Sequence, residues 1–269
     1  MLRVGVLGAG GRMGRQVCQA VTEDPDLDLV AAVDPRLAGI DLRQVAGVDA
    51  AGLQVGSGME DLERAGAEVA VDFTVADAAV ANMRWCAAHD VHAVVGTTGI
   101  PEGVLAELAD AFGRSGANAV VAANFAIGAV LMMRFAELAA PFMDGVEIIE
   151  LHHDGKLDAP SGTGLRTAER LAEARRAAGR GPWPPDRTAT EVVPGARGGE
   201  GPGGVRIHSV RLPGLVAHQE VVLGAGGQSL TIRHDAYDRS SFMPGMLLAV
   251  KAVAETPGLT VGLDTLLGF

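Results

Sequence analysis

Residues 3–14 read RVGVLGAGGRMG, and the turn inside them decides the fold. RVGVLG is a short apolar run that ends in glycine. RMGRQVCQAV then places Met13, Val17, Ala20 and Val21 at helical spacing. The glycines between fall at 8, 10, 11 and 14, which fits G-x-x-G-x-x-G better than G-x-G-x-x-G. A glycine motif alone is weak evidence. Here it follows a strand, opens a helix, and precedes an acid, Asp34, at the end of the next strand-like run, LDLVAAVD. That context is what dinucleotide binding requires. Gly8 allows the tight turn, Gly11 close approach of a pyrophosphate, and Gly14 close packing of helix on sheet. The pyrophosphate would rest on free N–H groups at the positive end of the helix. Asp34 can accept from a ribose 2′-hydroxyl, which favours NADH. Arg12 and Arg36 are near enough in sequence to leave NADPH open.

The same alternation continues. AEVAVDFT, VHAVVGTTG and NAVVAANF read as strands, and the helical segments 75–90 and 101–113 separate them. Such alternation predicts a parallel sheet covered on both faces. The strand ends carry Gly8–Gly14, Asp34, Phe73-Thr74, Gly96-Thr97-Thr98-Gly99 and Ala123-Asn124-Phe125. In an open parallel sheet the ligand crevice lies beyond these ends. Small and hydrogen-bonding residues at all of them predict a crevice that admits a cofactor closely.

The bulk properties set bounds. The chain has 269 residues and a formal net charge of −11, which argues against sequence-independent binding to nucleic acid or anionic membranes. Cys18 and Cys86 lie far apart in helical segments, so they read as small buried residues rather than a disulfide or a catalytic thiol. MLRVGVLGAGG runs straight into glycines and does not read as a signal peptide. The apolar stretch 119–133 is interrupted by Asn124 and Gly128 and falls short of the roughly 20 residues a spanning helix needs. A cytoplasmic protein is expected.

Beyond Asn124 the period changes. Residues 126–143 read as a long helix, VEIIELHH as a strand, and 161–179 as an amphipathic helix with Ser161 as N-cap. GVRIHSVRL, LVAHQEVVLG and SLTIRHDA alternate with period two, which predicts a mixed sheet with one polar face. PGARGGEGPGG, residues 194–204, has six glycines and reads as a long flexible hairpin connection. Residues 240–259 read as a final helix.

HHDGKLDAPSGTG, residues 152–164, carries the chemistry. On an extended strand Glu150 and His152 share one face, and Leu151 and His153 the other. Asp154-Gly155 is a turn signal that ends the strand and folds Lys156 back toward His152. The helix start at Ser161 offers N–H groups of Gly162 and Thr163 to a carboxylate. Histidine is the side chain suited to proton exchange near neutrality. No further Cys or His stands at ligand spacing, so no metal site is expected.

ELHHDGKLDAPSGTG, with GAGGRMG, GTTG and AANFAIG, resembles the 4-hydroxy-tetrahydrodipicolinate reductase (dihydrodipicolinate reductase) family. The similarity extends to SVRLPGLVAHQEVVLG and LTIRHDAYDRSSF. It implies an α/β chain: a Rossmann-type dinucleotide-binding domain, and a second α+β domain built on a mixed open sheet. The implied division is residues 1–123 plus 241–269 for dinucleotide, and 124–240 for substrate and oligomerisation. The resemblance also implies a homotetramer and an NAD(P)H-dependent reductase of diaminopimelate and lysine biosynthesis acting on a cyclic dicarboxylate. Matched position by position, His152 is the proton donor/acceptor and Lys156 the proton donor. His153, Gly162 and Thr163 match contacts to the substrate carboxylates. Gly8, Ala9, Gly10, Gly11, Arg12, Met13, Asp34, Gly96, Thr97, Thr98, Ala122, Ala123, Asn124 and Phe125 match contacts to NADH or NADPH. Two positions depart from the family pattern: Gly155 stands where a histidine is frequent, and Pro35 where NADPH-preferring members often carry arginine. Two other readings compete: a dehydrogenase of another small acid, and a nucleotide-sensing module that binds NAD without turnover.

Overall fold

The computed structural model describes residues 1–50 and 52–269. The chain begins β1 (Leu2–Leu7), α1 (Arg12–Glu23), β2 (Leu27–Val33), α2 (Leu42–Ala46), α3 (Glu60–Arg64) and β3 (Val69–Asp72). It continues α4 (Ala76–Ala88), β4 (His92–Val95), α5 (Glu102–Phe112), β5 (Ala119–Val121), α6 (Ile127–Ala139) and β6 (Gly145–His152). The remainder is α7 (Gly162–Ala177), β7 (Gly199–Glu200), β8 (Arg206–Arg211), β9 (Ala217–Ala225), β10 (Gln228–Ala236), α8 (Met243–Ala252) and β11 (Leu259–Val261). These elements form two compact units, residues 1–127 with 239–269, and residues 128–238.

The first unit is built on a parallel sheet in the order β11-β5-β4-β3-β1-β2. Its inner strands read as near-continuous apolar runs because both faces are covered; VAVD of β3 is buried at every residue. Helix α1 buries Gly14, Val17, Cys18 and Val21, an i, i+3, i+4, i+7 stripe. Gly8 turns with φ +77°, the left-handed region that favours glycine. A Cβ on Gly14 would overlap the Gly8 carbonyl, so the helix start and the strand end approach as only glycine permits. Gly14→Ala is therefore expected to destabilise the chain by about 1–3 kcal/mol, the usual cost of overpacking, read as a lowered urea midpoint. Both cysteines are buried and free, and burial pushes their thiols up to about 12, so they remain neutral.

Two helices are shorter than their apolar patterns suggest. Helix α6 stops at Ala139 and gives way to a 3₁₀ turn over Ala140–Phe142, because Pro141 has no N–H to continue the ladder. The final segment is not one helix. A 3₁₀ turn at Arg239–Phe242 leads into α8, with Pro244 in its first turn, and a second 3₁₀ turn follows at Val253–Glu255. Beyond Pro257-Gly258 the chain makes β11, which extends the sheet alongside β5. Three residues are too few to display a period, so this strand has no signature in the sequence.

The second unit has a mixed sheet in the order β10-β9-β6-β8-β7. Only β6 and β8 run parallel. Helix α7 buries Ala168 and Leu171, and Ile148, Val221 and Leu223 of the sheet are buried with them. Gln219 on β9 donates to Thr167 of α7 at 2.7 Å. The glycine-rich stretch 194–204 is more than a hairpin connection. It contains β7, which pairs with β8, and Arg197, which bonds Glu147 on β6 and pairs with Asp186 at 3.2 Å. Among the described residues no helix is long and apolar enough to cross a membrane.

Candidate active site

In the first unit every residue expected to meet a cofactor stands just past a strand's C-terminal end or in the first turn of α1. The chain leaves β1 toward β2 on one side and toward β3 on the other, so the topological switch lies between β1 and β3. Gly8 and Phe73 meet there: a Cβ on Gly8 would stand 3.0 Å from the Phe73 carbonyl. Gly11 caps α1 without a side-chain hydrogen bond, and no acid occupies the first turn, so the first-turn N–H groups, including those of Arg12 and Met13, keep their donors outward. A cavity of about 680 Å³ is lined by Arg12, Met13, Thr74, Gly96, Thr97, Thr98 and Arg239. Gly96 makes room for the Phe73 ring, which a Cβ would strike. The Phe73 and Phe125 rings lie 5.8 Å apart. Ala122 donates to the Val95 carbonyl, and Asn124 accepts from Ala126 N–H at 2.9 Å.

Asp34 has structural duties. It accepts from Gly10 N–H at 3.2 Å and Arg36 N–H at 3.1 Å, and its side chain is nearly buried. It thus caps the turn at Pro35–Leu37 and holds the glycine turn in place. A Cβ on Gly10 would collide with Leu37 and crowd Asp34, which gives this glycine a packing role beside the three read from the spacing.

In the second unit β6 ends at His152, and a tight turn follows in which Lys156 N–H donates to the His153 carbonyl at 3.1 Å. Lys156 Nζ bonds both carboxylate oxygens of Asp158, at 2.7 and 2.9 Å. His153 is exposed. Gly155 lies against it, since a Cβ there would come 3.3 Å from His153 Nδ1. Ser161 caps α7 by accepting from Gly164 N–H at 3.1 Å, which leaves Gly162 and Thr163 in the first turn with their N–H groups directed away from the helix.

Sequence reasoning missed the groups that hold these side chains. Glu150 is fully buried and accepts from His152 Nδ1 at 2.5 Å and from both terminal nitrogens of Arg211 at 2.8 and 2.9 Å. Burial raises its carboxyl, but the bonds from His152 and Arg211 prevail and hold it at about 2. In the first unit, buried Asp72 accepts from Thr74 N–H and Oγ1, from Asn82, and from Thr97 Oγ1. Each is an acid inside an apolar strand run, and that is the signal that marks it. Arg239 in the cavity wall has no local signal.

The chain matches two family models: dihydrodipicolinate reductase, N-terminus, over residues 2–125, and dihydrodipicolinate reductase, C-terminus, over residues 128–267. It is 51% identical to a 4-hydroxy-tetrahydrodipicolinate reductase of Nocardia farcinica, over 99% of this chain and 98% of the relative. It is 49% identical to one of Cutibacterium acnes, over 100% of this chain and 99% of the relative. Among solved structures it is similar to the dipicolinate-bound dihydrodipicolinate reductase from Paenisporosarcina sp. TG-14. The TM-score is 0.86 at 38% identity, covering 98% of this chain and 99% of that one. An amine dehydrogenase from Mycobacterium smegmatis, at 19% identity and a TM-score of 0.67, shares the fold alone. With both halves matched and full-length relatives near half identical, the chain belongs to the dihydrodipicolinate reductase family.

Proposed function

We propose that this chain reduces 4-hydroxy-tetrahydrodipicolinate to tetrahydrodipicolinate with NADH or NADPH, the 4-hydroxyl leaving as water, in diaminopimelate and lysine biosynthesis. The observation that carries the reading is the His152–Glu150 pair, followed by Lys156 and the Ser161-capped first turn of α7, in a chain of this family. In this reading the parallel-sheet unit takes the dinucleotide and the mixed-sheet unit takes substrate and mediates a homotetramer in the cytoplasm.

The residues present fit a dinucleotide. The turn at Gly8–Gly14 tolerates no side chain at 14, and the first N–H groups of α1 have no side-chain cap. Gly96–Thr98 and Ala122–Phe125 would complete the cradle. When bound, the reduced nicotinamide supplies the hydride. The chain's own residues do the rest. Gly162 and Thr163 offer N–H groups, and His153 a ring, to the carboxylates of a cyclic dicarboxylate. Lys156 presents a cation where negative charge develops at the ring nitrogen and adjacent carbon. Lys156 Nζ, or Nε2 of a His152 ring that is protonated on both nitrogens, then releases a proton to that charge. Asp158 steers Lys156 and, being largely exposed, is free to yield it.

The test generates the substrate in solution from pyruvate and aspartate semialdehyde with the preceding synthase and follows NADH and NADPH. Substrate-dependent oxidation, inhibited competitively by pyridine-2,6-dicarboxylate, is expected. Cofactor binding without oxidation would instead favour a nucleotide-sensing module.

A further inference from the structure

We infer that Glu150 is a positioning residue that fixes the tautomer of His152, leaving Nε2 as the nitrogen that exchanges protons. The inference rests on the reading of His152 as a proton carrier. Glu150 and His152 are two residues apart on β6 and so face the same way. Glu150 is fully buried, and its carboxylate meets N–H donors of Arg211 and Ser161 and a ring nitrogen of His152. Oε2 meets His152 Nδ1 at 2.5 Å and Arg211 at 2.9 Å. Oε1 accepts from Arg211 at 2.8 Å and from Ser161 N–H at 3.2 Å. An ionised carboxylate only accepts. Nδ1 must therefore carry the hydrogen, and the lone pair of the neutral ring stands on Nε2.

The same carboxylate reaches the other parts of the site. Its bond to Ser161 N–H anchors the N-cap of α7, the residue before Gly162 and Thr163. Arg211, gripped by both oxygens, also donates to the Asp158 carbonyl at 2.8 Å, in the loop that carries Lys156. Arg211 lies beside His152 on the parallel strand β8. One buried acid thus sets the orientation of the imidazole, the helix start and the lysine loop. Loss of Glu150 is expected to act on turnover through His152, with cofactor binding unaffected, because all of these contacts lie in residues 150–211.

The experiment uses the full chain labelled with ¹⁵N-histidine, with His152 assigned by comparison with His152→Gln. In the neutral form the wild type is expected to show a protonated Nδ1 and an unprotonated Nε2. In Glu150→Gln, whose amide can donate as well as accept, that preference is expected to be lost, and kcat to fall ~10–100-fold with an unchanged KM for NADH. A wild-type His152 with its hydrogen on Nε2 overturns the inference even if the variant does not fold. An unchanged kcat and tautomer in folded Glu150→Gln overturn it as well. A wild type that shows the expected tautomer but oxidises no cofactor would leave the tautomer assignment supported and reject the reductase reading instead.

Discussion

Lys156→Ala is expected to lower kcat by about 10²–10⁴-fold, the range for a general acid, with little change in the dissociation constant for NADH. The two effects separate because Lys156 stands in the turn after β6, in the mixed-sheet unit, and its side chain pairs with Asp158. Lys156→Arg sharpens the result. Guanidinium keeps the positive charge but does not give up a proton at working pH, so substrate is expected to bind without turnover. Stopped-flow oxidation of NADH, with cofactor affinity measured separately by fluorescence, checks both variants. Wild-type turnover in Lys156→Ala would remove the lysine from the mechanism.

Arg211→Ala is expected to destabilise the chain by about 3–5 kcal/mol, because it strands a buried carboxylate. The double variant Arg211→Ala/Glu150→Gln is expected to recover part of that loss, since no buried charge then stays unpaired. The pH dependence has a definite sign. In the wild type Glu150 titrates at about 2 against an ordinary 4.5. Its contribution is complete above pH 4.5 and is lost as pH falls toward 2. Without Arg211 burial is less opposed and the carboxyl rises, so the gap between wild type and variant is expected to narrow over the same window. Urea unfolding at stepped pH measures it. A gap independent of pH would mean that Arg211 acts by packing alone.

Much of the parallel sheet is legible in the sequence, for a physical reason. Strands such as VAVD and HAVV are largely buried and read as near-continuous apolar runs, and the glycine turn needs its residues at fixed places. Strand β11 is different. Leu259–Val261 is strand because it pairs with β5 far back in the chain, and no local pattern shows that. The second unit repeats the contrast. His152, Lys156 and the Ser161 cap are adjacent in sequence and stand out together. Arg211 is 61 residues from Glu150, and parallel pairing of β6 with β8 brings the two together. Asp34 shows a residue with two roles. The acid expected at a ribose also holds Gly10 and the turn at Pro35, so its local hydrogen bonding and its cofactor reading compete for the same oxygens.

The central claim is that this chain moves a hydride from nicotinamide to a cyclic dicarboxylate. Turnover with NADH deuterated at the transferable position of C4 tests it most directly. Product recovered from the synthase-coupled reaction is predicted to carry the deuterium on a ring carbon, in proportion to the cofactor oxidised. Cofactor left unoxidised, or product free of deuterium, would contradict the account.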